Sequence, residues 1–205
     1  MFESDLRRQS ERASAVSNHH SVLDSAIGVQ MMNRVRGDYL EFGVFRGQRL
    51  VQAYETAKYV TTRVLSASLE AMRFVGFDSF EGSSRASLEE VTSSMPGKAM
   101  AEGRIKLVKG WFQDTLTIET KRQLELSSAS IVYIDCEYYE STVPCLEFIT
   151  DLLVDGSILI FDDWWIFGGR KDRGEQQAFY EWKARHRIST REFMPGTAMS
   201  FVVQR

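Results

Sequence analysis

The chain has 205 residues, 43% of them apolar and 26% charged, with a formal net charge of −3. That length suits one α/β domain with a sizeable core, and the charge excludes a generic attraction to nucleic acid or to anionic membranes. Two cysteines, Cys136 and Cys145, are too few for a disulfide framework, so a reducing cytoplasmic setting is expected. The opening stretch MFESDLRRQSERAS has no apolar core, so no secretory signal is expected, and no apolar run approaches a membrane-spanning length.

Residues 1–36 read as a polar helical segment with apolar positions at Val22, Ile27, Val29, Met31, Met32 and Val35, set apart from a main domain over 37–205. DYLEFGV is a first strand, and the following RGQRLVQAYETAKYV takes a helical period that puts Leu50, Tyr54 and Ala57 on one face. RFVGFD (73–78) is a second strand. The Ser-, Gly-, Glu- and Met-rich stretch from Gly82 to Gly103 reads as a mobile loop with one helical turn, a lid rather than a core element. IKLVKG (105–110) is a third strand, DTLTIETKRQLEL (114–126) a helix and SIVYID (130–135) a fourth strand. STVPCLEFITDLL is a helix that buries Val143, Leu146, Ile149 and Leu153 and stops at Asp155-Gly156; SILIFDD (157–163) is a fifth strand. RGEQQAFYEWKARHR is a helix, and ISTREF and MSFVVQ are two closing strands. Alternating strands and helices predict an α/β fold: a mainly parallel, seven-stranded Rossmann-like sheet, helices on both faces and a C-terminal antiparallel hairpin.

In such sheets ligands sit beyond the carboxyl ends of the strands, so the residues just past each strand are the candidates for a site. After the first comes Glu41-Phe-Gly43-Val-Phe-Arg-Gly47, whose glycines permit a sharp turn and a close approach to a ligand; a tight turn with no ligand is the alternative. After the second come Asp78 and Ser79, where an acidic side chain can accept from ribose hydroxyls or cap a turn. The 37 positions from Glu41 to Asp78 exceed the spacing usual in dinucleotide folds, which counts against NAD. After the third, Gly110-Trp111-Phe112-Gln113-Asp114 offers aromatic faces to a flat base, with Asp114 open to an N-cap role. The fourth strand ends at Asp135 and the fifth at Asp162-Asp163. If those strands are neighbours, three carboxylates converge and repel unless a cation or protons offset them; oxygen-only ligands select a hard ion, magnesium first, manganese or calcium next. Solvated caps are the bland alternative. Trp164, Trp165 and Phe167 follow, placed to stack on an acceptor or to fill core. His186 reads as structural, while His19 and His20 lie in the N-terminal segment.

In order, GDYLEFGVFRGQ, VGFDSFEG, KGWFQDTL, YIDCEYYEST and ILIFDDWW resemble the macrocin O-methyltransferase (TylF-like) family of class I S-adenosylmethionine-dependent methyltransferases, over about residues 37 to 183. The resemblance implies a methyltransferase that uses S-adenosylmethionine and Mg2+ (or Mn2+) to methylate a hydroxyl of a sugar or glycosylated small molecule. Carried onto this chain, Glu41, Gly43 and Gly47 line the methionine end of the cofactor. Asp78 and Ser79 hold the ribose, and Gly110, Trp111, Phe112 and Asp114 border the adenine. Asp135, Asp162 and Asp163 bind the metal, with Asp135 also beside the cofactor. The chain departs from the pattern at Cys136, where the family typically has Gly, and at Glu137, where it has Asp. It is also shorter at the N-terminus, where the family builds its acceptor pocket and oligomer contacts. Residues 1–36 are therefore expected at one of those two places, and a homo-oligomer is open.

Methyl transfer is an in-line displacement in which the cofactor brings the reactivity and the protein brings alignment. A sugar hydroxyl is a weak nucleophile that a metal ion can acidify and orient. Candidates for the base are Glu137, Asp135 or a histidine of the N-terminal segment. A catechol-type phenolic O-methyltransferase shares this logic, but its metal set usually ends Asp-Asn rather than Asp162-Asp163. A non-catalytic nucleotide-binding module is a further alternative, against which the intact acidic trio argues.

Overall fold

The apolar strand segments are buried on both sides, as a parallel sheet covered by helices requires. The computed structural model describes residues 22–64, 72–81, 86–194 and 196–205. In chain order these form helix α1 (Val22–Asn33), strand β1 (Asp38–Phe42), helix α2 (Gln48–Tyr59), which continues as a π-helical turn over Val60–Val64, and strand β2 (Phe74–Asp78). Helices α3 (Leu88–Ser94) and α4 (Gly97–Ala101), strand β3 (Ile105–Lys109), the short helices α5 (Phe112–Thr115) and α6 (Ile118–Gln123), and strand β4 (Ala129–Ile134) follow. Helix α7 (Tyr139–Ile149), strand β5 (Leu153–Phe161), a 3-10 turn (Ile166–Gly169), helix α8 (Gly174–His186) and strands β6 (Ser189–Glu192) and β7 (Met199–Gln204) complete the chain.

The seven strands form one sheet in the order β3-β2-β1-β4-β5-β7-β6. Strands β1 to β5 pair in parallel, and β7 runs antiparallel to both β5 and β6. The mainly parallel sheet and its terminal antiparallel hairpin are thus as the sequence implied. Side chains alternate between faces every second residue. Leu40, Phe42, Val132, Ile134, Leu159 and Phe161 point into one core with Leu146 and Ile149 of α7 and Phe179 and Trp182 of α8. Tyr39, Ile131, Tyr133, Ile158 and Ile160 point into the other with Ile27 of α1 and Leu50 of α2. Each such fully buried aliphatic or aromatic side chain contributes about 1.5–3 kcal/mol of transfer free energy.

Three local readings are corrected. The stretch read as a loop between Gly82 and Gly103 holds α3 and α4, whose Val91 and Ala99 are buried, as is Met95 between them; residues 82–85 lie outside the described part. A capping box starts α3: Ser87 Oγ accepts from the Glu90 N–H (3.2 Å) and the Ser87 N–H donates to Glu90 Oε2 (2.8 Å). Asp155-Gly156 does not stop a helix but lies within β5, where Gly156 takes φ 86° beside a register shift against β4. The single helix expected over 114–126 is two short ones, α5 and α6.

The amino-terminal end of the sheet is closely stitched. Arg73 pairs with Asp38 (Nη2–Oδ2 2.5 Å, Nε–Oδ1 3.1 Å) and donates to the carbonyls of Leu124 (2.6 Å) and Glu125 (3.0 Å). Gln30, a buried residue of α1, donates through Nε2 to the carbonyls of Ser130 and Gly156, both at 2.8 Å. Residues 22–33 are therefore fastened to β4 and β5. Among the described residues no helix is long and apolar enough to cross a membrane.

Candidate active site

At the carboxyl end of the sheet, β1 and β4 turn outward side by side. Gly43 has φ 92°, and a Cβ there would lie 1.9 Å from the Asp135 carbonyl oxygen, so the turn after β1 tolerates only glycine at this approach. The loop opens a cleft of about 650 Å3 lined by Gly43, Asp78, Ser79, Gly110, Trp111, Phe112, Asp135, Glu137 and Asp163, together with Phe45, Gln113, Cys136, Tyr138, Glu140 and Ser141. That volume is within the range of small-molecule sites.

Most of the predicted site residues meet on this wall; Glu41, Gly47, Asp114 and Asp162 do not. Glu41 is fully buried below the turn, where its Oε2 accepts from the Tyr39 hydroxyl at 2.6 Å and its Oε1 has no hydrogen-bond partner. Burial drives its pKa up to about 8; the Tyr39 bond opposes this, and the charge of Asp135 adds to it. Gly47 caps α2 with φ 78° and is covered by Val91 of α3 and by Met95, which follows that helix, so its missing Cβ makes room for protein. Asp114 lies within α5 and is exposed, and the N-cap position belongs to Trp111.

Asp78 is on the wall but only 1% exposed. Its Oδ2 accepts from the backbone N–H of Val44 (2.8 Å) and Phe45 (3.0 Å), and its Oδ1 from that of Phe80 (2.9 Å). It ties the β1 turn to the end of β2. Trp111, Phe45 and Tyr138 are about half exposed and stand round the mouth. Trp164, by contrast, is buried against Phe161, Phe179 and Phe201, which assigns it to the core, whereas Trp165 is exposed.

Because β4 and β5 are neighbours, their terminal acids converge: Asp135, Asp162 and Asp163 each offer an oxygen, all within 4.8 Å of one another. Burial raises the pKa of Asp163, Asp162 adds to the shift, and a backbone N–H of Glu137 opposes it. Glu137 itself takes a left-handed φ of 58°. Arg49 feels Asp162 and Asp135, but it is exposed and hydrogen-bonded to Gln52, so solvent screens it. A cluster of partly buried carboxylate oxygens at this spacing fits a hard divalent cation.

Two functional neighbours escaped the sequence reading. The Tyr133 hydroxyl donates to Asp162 Oδ1 at 2.5 Å. Glu175, in the first turn of α8, is 1% exposed, and neither carboxylate oxygen has a hydrogen-bond partner. Burial raises its pKa strongly, as do Cys136 and then the three acids of the cluster. Tyr133 could have been found: it is register partner to Ile160, two residues before Asp162. Nothing in the sequence marks Glu175. His186 is bonded to Glu147 at 2.8 Å, away from the cleft, as its structural reading required; His19 and His20 lie outside the described residues.

The model of the macrocin-O-methyltransferase (TylF) family matches residues 17–193. The chain belongs to this family. Among curated relatives of this TylF-family chain is a 4'-O-methyltransferase of Streptomyces olivaceus named for 8-demethyl-8-(2,3-dimethoxy-alpha-L-rhamnosyl)-tetracenomycin-C. It is 26% identical over 185 residues, covering 82% of this chain and 66% of the relative. Demethyldecarbamoylnovobiocin O-methyltransferase of Streptomyces niveus is 25% identical over 172 residues, covering 77% and 62%. The chain thus spans less than two thirds of the length of either relative. Among solved structures, the O-methyltransferase NovP superposes with a TM-score of 0.71 at 19% identity, covering 89% of this chain and 78% of that one, a likeness of fold.

Proposed function

We propose that this chain is an S-adenosylmethionine-dependent O-methyltransferase that acts, with a divalent cation, on a hydroxyl of a sugar or glycosylated small molecule. The observation that carries the reading is the convergence of Asp135, Asp162 and Asp163 beside a cleft whose floor is the Gly43 turn. Family membership, a relative named for O-methylation of a rhamnosyl-tetracenomycin and another named as an O-methyltransferase of demethyldecarbamoylnovobiocin support the same acceptor class.

When bound, S-adenosylmethionine supplies an activated methyl group, and Mg2+ or Mn2+ acidifies and orients the hydroxyl. The chain supplies alignment. The Gly43 turn, held by Asp78, borders the methionine end; Ser79 borders the ribose; Gly110, Trp111 and Phe112 border the base. Asp135, Asp162 and Asp163 hold the cation. Glu137 and Asp135, both on the cleft wall, are assigned to take the acceptor proton. Tyr138, half exposed on the cleft wall, offers an aromatic face to a sugar ring. The N-terminal segment, residues 1–36, is assigned to the acceptor pocket or to an oligomer contact; the exposed Met32 and Val29 of α1 suit the second role.

The test has two parts. Calorimetry should show S-adenosylhomocysteine binding and no NADH binding. Labelled methyl should then pass to glycosylated acceptors in magnesium and not in EDTA, with simple catechols as the competing panel. Tight NADH binding without S-adenosylhomocysteine binding, or transfer to catechols alone, overturns the proposal.

A further inference from the structure

Asp162 is not held as a free carboxylate. Its Oδ1 accepts the Tyr133 hydroxyl at 2.5 Å, the short end of the range for a hydroxyl donating to a carboxylate. The Tyr133 ring is 3% exposed and sits in the core formed with α1 and α2. Its strand is hydrogen-bonded on both sides, with Glu41 of β1 and Ile160 of β5 as register partners. The ring therefore fixes the hydroxyl oxygen beside Asp162, and turning its hydrogen away would forfeit this bond. With Oδ1 engaged in this way, Oδ2 is the oxygen left to meet a cation.

Resting on the reading of the trio as a cation site, we infer that Tyr133 is a positioning residue that presents Asp162 to the cation through one oxygen and thereby favours magnesium over calcium. Magnesium takes six ligands at short distance, each carboxylate giving one oxygen. Calcium takes six to eight and commonly uses both oxygens of a carboxylate. A carboxylate with one oxygen committed to a fixed phenol suits the first pattern and resists the second. Groups that orient ligating carboxylates typically affect metal affinity 10- to 100-fold when removed.

The test is Tyr133→Phe, which keeps the ring that carries the packing. Magnesium and calcium are each titrated by calorimetry into the protein saturated with S-adenosylhomocysteine, with no acceptor present. The Kd for magnesium should rise about 10- to 100-fold while that for calcium rises far less, so the preference for magnesium falls about tenfold. Affinity for S-adenosylhomocysteine should stay within about twofold of wild type, on the grounds that the hydroxyl acts only on Asp162. In an Asp162→Asn background, adding Tyr133→Phe should change neither ion's affinity further, because the carboxylate through which it acts is gone. If wild type binds magnesium and Tyr133→Phe keeps the same preference, or weakens both ions equally, the inference is overturned and the cation site stands. If wild type binds neither ion, the cation reading fails and takes the inference with it.

Discussion

Replacing Glu41 by Gln keeps the shape of the side chain and its ability to accept from Tyr39, and removes its titration. Glu41 is fully buried, and its pKa is raised from 4.5 to about 8, first by that burial. Between those two values the folded protein holds a proton on Glu41 that the unfolded chain has released. Stability therefore falls as pH rises through this window, by up to about 1.4 kcal/mol per pH unit and about 5 kcal/mol in all. The contribution is intact below pH 4.5 and lost as pH climbs past 8. Every other titrating group is common to both proteins, so the difference between wild type and Glu41→Gln isolates this one. Urea unfolding at pH 5, 6, 7, 8 and 9, without cofactor, should give two similar free energies at the acid end. The variant should gain progressively on wild type toward the alkaline end. Curves that stay parallel over the whole range would falsify the assignment of a proton to the buried Glu41 carboxyl.

Three further outcomes are expected. Gly43→Ala places a Cβ 1.9 Å from the Asp135 carbonyl oxygen at a left-handed φ, so calorimetry should find S-adenosylhomocysteine binding abolished and thermal melting a lower Tm; unchanged binding refutes the close approach. Asp163→Asn removes one charge of the trio and should cut turnover on a hydroxyl acceptor by at least about 100-fold while leaving cofactor affinity within about twofold, in line with removal of a metal ligand. Turnover at the wild-type level would reduce the trio to turn caps. Ser87→Ala removes the capping box of α3 and should cost about 1 kcal/mol in chemical unfolding. A change near zero means α3 is held by Val91 and Met95 alone.

The sheet was legible because its strands alternate apolar positions on two buried faces and are punctuated at their ends by residues such as Gly43, Asp78 and Asp135. The acidic trio was legible for the same reason, since neighbouring parallel strands deliver their terminal side chains to one edge. The residues 88–101 were not. Their composition is polar and small, yet Val91, Met95 and Ala99 are buried, and Val91 and Met95 lie over Gly47. Helix α3 is thus specified by a cap and tertiary packing rather than by a long amphipathic period. The glycine motif marks its backbone correctly but not what approaches it: a neighbouring carbonyl at Gly43 and protein side chains at Gly47. Glu175 could not be found at all, since burial of one glutamate in a helix of mixed polarity leaves no trace in a single chain.

The stitching of the amino-terminal edge by Arg73 and Gln30 gives the molecule a fixed hem opposite a working rim. Amide hydrogens along the starts of β1, β2 and β4 should exchange only by global unfolding, whereas those of the Gly43 and Gly110 turns can open locally. Substitutions at Arg73 and at the rim would then fall into separate phenotypes. The former would lower the amount of folded protein in a cell while each surviving molecule works normally; the latter would leave abundance alone and alter what each molecule does. On the proposed function, acceptor preference would be re-engineered at the mouth without a compensating change at the hem.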